Sequence, residues 1–185
     1  LQPDEEPSAN ADAIPDPPSE AITKRGDVWI MERHRLVCGD CRNNDDVKTA
    51  LPTKSSLVIT SPPYASQRKY DEGSGFEPIH PGHYVEWFDS VQENIAAHMI
   101  PDGSFMLNIK EHCEEGQRVL YVKDLVLAFV RKWGWRFVDE FCWLKGATPI
   151  GVVNRFKNGW EPVFQFTRGA HRFFPNAVRH KSDDS

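Results

Sequence analysis

The strongest constraint in this sequence is a short apolar run that ends on two prolines: Leu57-Val58-Ile59-Thr60, followed by Ser61-Pro62-Pro63-Tyr64. A continuous run without alternation fits a strand buried on both faces, as in parallel sheets. Pro62 and Pro63 offer no amide donors, so a hydrogen-bonded ladder cannot continue through them. The chain must leave the strand at Ser61, and the two rings fix its direction as it does so. Taken alone, Pro-Pro-Tyr also fits a plain strand-ending turn with a packed tyrosine.

The flanking sequence alternates in character. Residues 26–30 and 35–38 read as short extended segments, the second breaking at Gly39-Asp40 where a strand hands over to a helix. Asn43 or Asn44 is placed to cap a short helix whose inward face is Val47, Ala50 and Leu51, and Pro52 stops it. Residues 65–80 are polar and glycine-containing, a surface loop. The spacing of Tyr84, Trp87, Phe88, Val91, Ile95 and Met99 predicts a helix over 81–99. Pro101-Asp102-Gly103 predicts a turn, and 104–109 a second buried strand. An amphipathic helix over 119–133 directs Leu120, Leu125, Leu127, Ala128 and Val130 mostly to one side and ends at Gly134. Strands over about 136–144 and 160–167 flank a polar loop at 145–159. Alternating helices and buried strands predict an α/β sheet with helices on both faces.

Charge needs to be located before it can be interpreted. The 185-residue chain carries a net −5, but residues 1–23 hold Asp4, Glu5, Glu6, Asp12, Asp16 and Glu20 with no Lys or Arg, leaving the remainder at +1. This Pro/Ala/Ser-rich leader has too few large apolar residues to order itself, so 1–24 is expected to be disordered and 25–185 to form one domain. No apolar run approaches the roughly 20 residues of a membrane span, and no secretory leader opens the chain, which points to the cytoplasm and away from membranes. Cys38-Gly39-Asp40-Cys41 has C-x-x-C spacing, but Cys113 and Cys142 provide no matching pair. All four are read as reduced cysteines, with no metal. The seven histidines show no triad or metal spacing, and none is assigned a catalytic role.

The order strand, Gly-Asp, helix, strand, Ser-Pro-Pro-Tyr, loop, helix, strand resembles the amino-group DNA methyltransferases of bacteria and phages, in their circularly permuted class. His34 to Asp40 is similar to the segment that precedes the motif in that class. Trp143-Leu144-Lys145, Asn154-Arg155 and Trp160-Glu161-Pro162-Val163-Phe164-Gln165-Phe166 are similar to its later strands. The resemblance covers roughly residues 26–180. It implies a Rossmann-like α/β fold, S-adenosylmethionine as cofactor and double-stranded DNA as partner, with a cognate restriction endonuclease as a further partner.

The resemblance also distributes roles. Ser61 and the Pro62 carbonyl would accept hydrogen bonds from a base amino group, Pro63 would help hold that carbonyl in place, and Tyr64 would stack on a base flipped from the duplex. Gly39, Asp40 and Thr60 would contact the cofactor, with Asp40 near its adenine end; a solvated turn carboxylate is the plain alternative for Asp40. Arg68, Lys69, Lys145, Arg155 and Lys157, interleaved with aromatics, would form a phosphate-contacting edge, or else are ordinary solvated cations.

No cysteine follows a proline, which disfavours covalent attack at a cytosine ring carbon. Serine at the first motif position resembles the N4-cytosine group more than the N6-adenine group, which is the alternative acceptor. The family's Phe-x-Gly-x-Gly cofactor loop is expected after the segment like Trp160 to Phe166, and the sequence to Ser185 contains none. The chain is therefore expected to be the catalytic part of a methyltransferase domain, incomplete towards its C-terminus. A non-catalytic DNA-binding remnant is the alternative of a different class.

Overall fold

The computed structural model describes residues 18, 20–66, 76–146, 158–175 and 177. Strands β1 (Val28–Met31) and β2 (His34–Val37) form an antiparallel hairpin, followed by α1 (Asn44–Ala50) and β3 (Ser55–Thr60). A 3-10 turn (Pro81–His83) leads into α2 (Tyr84–His98), which runs directly into β4 (Met99–Asn108). The small pair β5 (Cys113–Glu114) and β6 (Gln117–Arg118) precedes α3 (Tyr121–Arg131), and β7 (Arg136–Leu144) and β8 (Trp160–Thr167) follow. The principal sheet has the order β3-β4-β8-β7, with β3 and β4 parallel and the other pairings antiparallel.

Local chemistry explains most of these boundaries. The Asn43 side chain caps α1 by accepting from the amides of Asp45 and Asp46, so of the two candidate asparagines it is Asn43 that acts. Gly134 sits at φ +68 after α3. There the Trp135 amide reaches back to the Phe129 carbonyl at 2.8 Å, a left-handed helix stop that glycine makes without strain. The expected turn at Pro101-Asp102-Gly103 is instead absorbed into β4. Ser55 pairs with Met99 and Leu57 with Ser104, so the intervening β4 residues bulge out of register. A Cβ on Gly103 would lie 2.9 Å from the Ser56 carbonyl, so the bulge needs a glycine there.

Register decides which face is core. Val58 and Thr60 stand beside Phe105 and Leu107, while Leu57 and Ile59 stand beside Ser104 and Met106. Phe105, Leu107, Phe164 and Phe166 are buried with Phe88 of α2 and Phe129 of α3. Phe129 lies at the centre, its ring stacked on Phe166 at 4.4 Å between centroids. Trp135 is buried in the same cluster, with its indole N–H donating to Gln92 at 3.0 Å.

Three expectations change here. Strand β3 is parallel to β4 as expected but is an edge, with Leu57 at 55% and Ile59 at 70% exposure; among the described residues nothing pairs on its other side. Among the described residues, helices cover one face of the sheet rather than both, because α2 and α3 pack on the aromatic face and leave Leu57 and Ile59 open. The inward stripe of α3 is Tyr121, Val122, Leu125 and Phe129, while Leu120, Leu127 and Val130 are exposed. The large rings take the helical stripe that fits the Phe105–Phe166 surface and turn those aliphatic residues outward. Among the described residues, no helix is long and apolar enough to cross a membrane.

Because Phe129 joins α3 to five aromatic neighbours, Phe129→Ala should destabilise the fold by about 3–5 kcal/mol, read by denaturant unfolding.

Candidate active site at the end of the parallel strand pair

Parallel pairing brings the carboxyl ends of β3 and β4 to one edge of the sheet, where open α/β sheets bind their ligands. Thr60 pairs with Leu107, so the next residues, Ser61 and Asn108, follow Ile59 and Met106 on the face away from α2 and α3. Antiparallel pairing adds a second wall, because Asn108 lies opposite Val163 and Glu161 opposite Trp143. Ser61, Pro62, Tyr64, Asn108, Trp143, Lys145 and Glu161 line one cavity of about 300 Å³.

The Pro-Pro segment is clamped from below. The buried Tyr84 donates its hydroxyl to the Pro63 carbonyl at 2.6 Å, and the Ala65 amide meets the same carbonyl at 3.0 Å. Ala65 is fully buried at φ +45, a left-handed conformation that a non-glycine residue adopts only where its surroundings impose it. By contrast, the Pro62 carbonyl accepts no hydrogen bond among the described residues. Above the prolines, the Ser61 hydroxyl lies 3.3 Å from the Tyr64 hydroxyl, which lies 3.2 Å from Asn108 Oδ1. Asn108 Nδ2 donates to the Pro162 carbonyl at 3.0 Å.

Lys145 lines this cavity. Its ammonium is 3.2 Å from the Glu161 carboxylate and 3.3 Å from the centre of the Trp143 ring. Nearby, Lys110 donates to the Trp160 carbonyl at 2.7 Å, and burial pushes its pKa down.

A second cleft of about 380 Å³ lies on the helical side of β3. Thr60, Ser61, Pro62 and Pro63 form its floor, α1 and α2 supply its apolar walls, and Cys41 lies at its rim. Asn94 of α2 donates to the Cys41 carbonyl at 2.9 Å, tying the turn after β2 to the helix. Gly39 has a structural reason in this turn: a Cβ there would meet the Asp46 carboxylate at 2.6 Å, and that carboxylate accepts the Asp40 amide at 2.8 Å. Asp40 itself is gripped by the Arg42 guanidinium at 2.7 Å, and this hydrogen bond holds its carboxyl below the usual aspartate value. Burial, with the Asp40 charge beside it, pushes the Cys41 thiol up.

The expected residues thus separate into groups. Ser61, Pro62 and Tyr64 meet in the polar cavity with Lys145, and Thr60 lies in the apolar cleft with Pro62 and Pro63. Gly39 and Asp40 stand in the turn beside that cleft. Arg68, Lys69, Arg155 and Lys157 lie outside the described residues. Asn108, Trp143 and Glu161 had no assigned role, although an asparagine closing an otherwise apolar strand end is a signal visible in the sequence.

The lowered Asp40 value gives a pH prediction. A carboxylate depressed by pairing contributes stability above the ordinary aspartate value and loses it as pH falls through the native value. Arg42→Ala should return Asp40 towards 3.8 in a carboxyl NMR titration and remove that part of the acid sensitivity.

Comparison with known proteins places this geometry in a family. The type II methyltransferase M.PvuII of Proteus hauseri is 32% identical over 114 residues, 58% of this chain and 33% of that protein. M.MwoI of Methanothermobacter wolfeii is 29% identical over 124 residues, 64% of this chain and 19% of that protein. The chain therefore spans about a third or less of the length of these curated relatives. Among solved structures, the cytosine-N4-specific PvuII DNA methyltransferase aligns with a TM-score of 0.51 at 27% identity, over 64% of this chain and 44% of that one. TTHA0409 of Thermus thermophilus, solved in complex with S-adenosyl-L-methionine, shares the fold with a TM-score of 0.50 at 19% identity, over 75% of this chain and 57% of that one. The model of the N6/N4 DNA methylases matches residues 55–185, well over half of the sequence, and the chain belongs to that DNA methylase family.

Proposed function

We propose that the protein bearing this chain moves a methyl group from S-adenosylmethionine to the exocyclic amino nitrogen of a base flipped out of double-stranded DNA, with N4 of cytosine as the favoured acceptor. The observation that carries this reading is the meeting of Ser61, Pro62 and Tyr64 in one polar cavity at the end of a clamped double proline.

An amino nitrogen on an aromatic base is a poor nucleophile, because its lone pair is delocalised into the ring. Two acceptors on its N–H groups draw it towards tetrahedral geometry and localise that pair. In this reading the acceptors are Ser61 Oγ and the Pro62 carbonyl. Their directions are set before substrate arrives, since the prolines cannot rotate about φ and Tyr84 with Ala65 holds the next carbonyl in place. Tyr64 borders the cavity as a stacking surface for the base, which must leave the duplex to reach Ser61. Lys145 and Glu161 form the opposite wall.

S-adenosylmethionine would supply the methyl group, and Gly39, Asp40 and Thr60 would hold it beside the apolar cleft. That cleft, at about 380 Å³, lies in the range of about 300–1,000 Å³ usual for small-molecule sites. It shares Ser61 and Pro62 with the polar cavity, so that donor and acceptor would meet at the motif. Lys145, with Arg68, Lys69, Arg155 and Lys157, would contact the DNA. Cytosine is favoured by the serine that opens the motif and by the likeness to the cytosine-N4-specific PvuII enzyme.

Ser61→Ala should lower methyl transfer roughly a hundredfold or more while DNA affinity changes little, measured with labelled S-adenosylmethionine and by DNA titration. Equal loss of both would make Ser61 a structural residue. Digestion of DNA from cells expressing the protein should release N4-methylcytosine on mass detection. N6-methyladenine would move the acceptor to adenine. DNA binding with no modified base, and no calorimetric response to S-adenosylmethionine, would favour a non-catalytic remnant.

A further inference from the structure

We infer that Asn108, acting through the Tyr64 hydroxyl, fixes the hydrogen-bond polarity of Ser61, so that the site accepts an amino group and rejects a carbonyl at the same position of a base. The inference rests on the reading that Ser61 meets the base.

The Pro162 carbonyl can only accept a hydrogen bond, and it lies 3.0 Å from the side-chain amide of Asn108. The Asn108 nitrogen must therefore face Pro162, and this sets the orientation of an amide that is only 8% exposed. Its oxygen then faces Tyr64, 3.2 Å away. An amide oxygen has no hydrogen to give, so Tyr64 donates to it. A hydroxyl carries one hydrogen, and with that hydrogen on Asn108 the Tyr64 oxygen meets Ser61, 3.3 Å away, as an acceptor. Ser61 donates to Tyr64, and its remaining lone pairs face the cavity.

The consequence is a site with a defined sign. A 4-amino or 6-amino group presents N–H donors to Ser61 and finds an acceptor. A 4-oxo or 6-oxo group presents lone pairs to lone pairs, and a buried polar group is left unpaired, the situation in which sites discriminate most strongly. Asn108 and Tyr64 are positioning residues in this scheme. If either link is cut, the Ser61 hydroxyl can turn its hydrogen into the cavity, where it opposes an amino group and welcomes a carbonyl.

The test is a double-mutant cycle on the protein bearing this chain, with methyl transfer and DNA affinity followed together. Asn108→Leu and Tyr64→Phe should each lower kcat roughly tenfold to a hundredfold with little change in KM. Because both cut the same relay, the double variant should be no slower than the slower single variant. Duplexes with an oxo base in place of the amino base at the target position should bind more weakly to the native protein, and Asn108→Leu and Tyr64→Phe should erase that preference. Thermal unfolding of each variant separates loss of the relay from loss of the fold, and Tyr64→Phe, which keeps the ring, tests the idea should Asn108→Leu fail to fold. Full rates in Asn108→Leu and Tyr64→Phe, additive losses in the double variant, or an unchanged amino preference would each overturn the inference. If Ser61→Ala abolishes transfer while those variants do not, the relay alone is refuted. If Ser61→Ala is fully active, the reading beneath it falls as well.

Discussion

The parallel pairing of β3 with β4 is the constraint from which the rest of the site follows. Hydrogen bonds between Leu57–Thr60 and Ser104–Leu107 place the ends of both strands at one edge and on one face. That single register sets Ser61 near Asn108, lets β8 bring Pro162 and Glu161 alongside, and lets β7 bring Trp143 and Lys145. A slip of one residue would turn Ser61 towards the aromatic core and Val58 towards solvent. The buried side chains of Phe105, Leu107, Phe129 and Phe166 therefore act on the chemistry indirectly, by making any other register too costly.

Much of this was legible in the sequence, and the reasons are physical. The strand-ending prolines, the Asn43 cap, the Gly134 stop and the Ser-Pro-Pro-Tyr motif are decided by covalent geometry within a few residues, which a sequence displays directly. The long helices were visible because their apolar spacing is regular. What could not be read was whatever depends on partners distant in the chain. Leu57-Val58-Ile59 is as apolar as a central strand, yet among the described residues β3 is an edge, because its exposure depends on which strands stand beside it. The inward face of α3 was misjudged in the same way: Leu127 and Val130 are as apolar as Leu125, but only the stripe with Tyr121 and Phe129 matches the aromatic surface beneath.

The site shows the same division. Ser61, Pro62 and Tyr64 stand out because they are adjacent and unusual. Asn108, Trp143 and Glu161 come from three other strands, and only the sheet register unites them. Lys145 was read as one of several loop cations. Its pairing with Glu161 and its place over Trp143 are set by the antiparallel partnership of β7 and β8, which leaves no local trace.

The open edge of β3 bears on motion. Among the described residues, this strand is bonded to a neighbour on one side only, so its amides divide into two populations: those directed at β4 are held, and those directed outwards meet solvent. Hydrogen exchange along Leu57 to Thr60 would then alternate between slow and fast from one residue to the next, while Phe105 to Leu107 of β4, paired on both sides, exchange slowly. The segment that presents Ser61 is thus carried by one of the two outer strands of the sheet. Its precision comes from what holds the tip beyond it: the two proline rings, the Tyr84 hydroxyl and the strained backbone of Ala65.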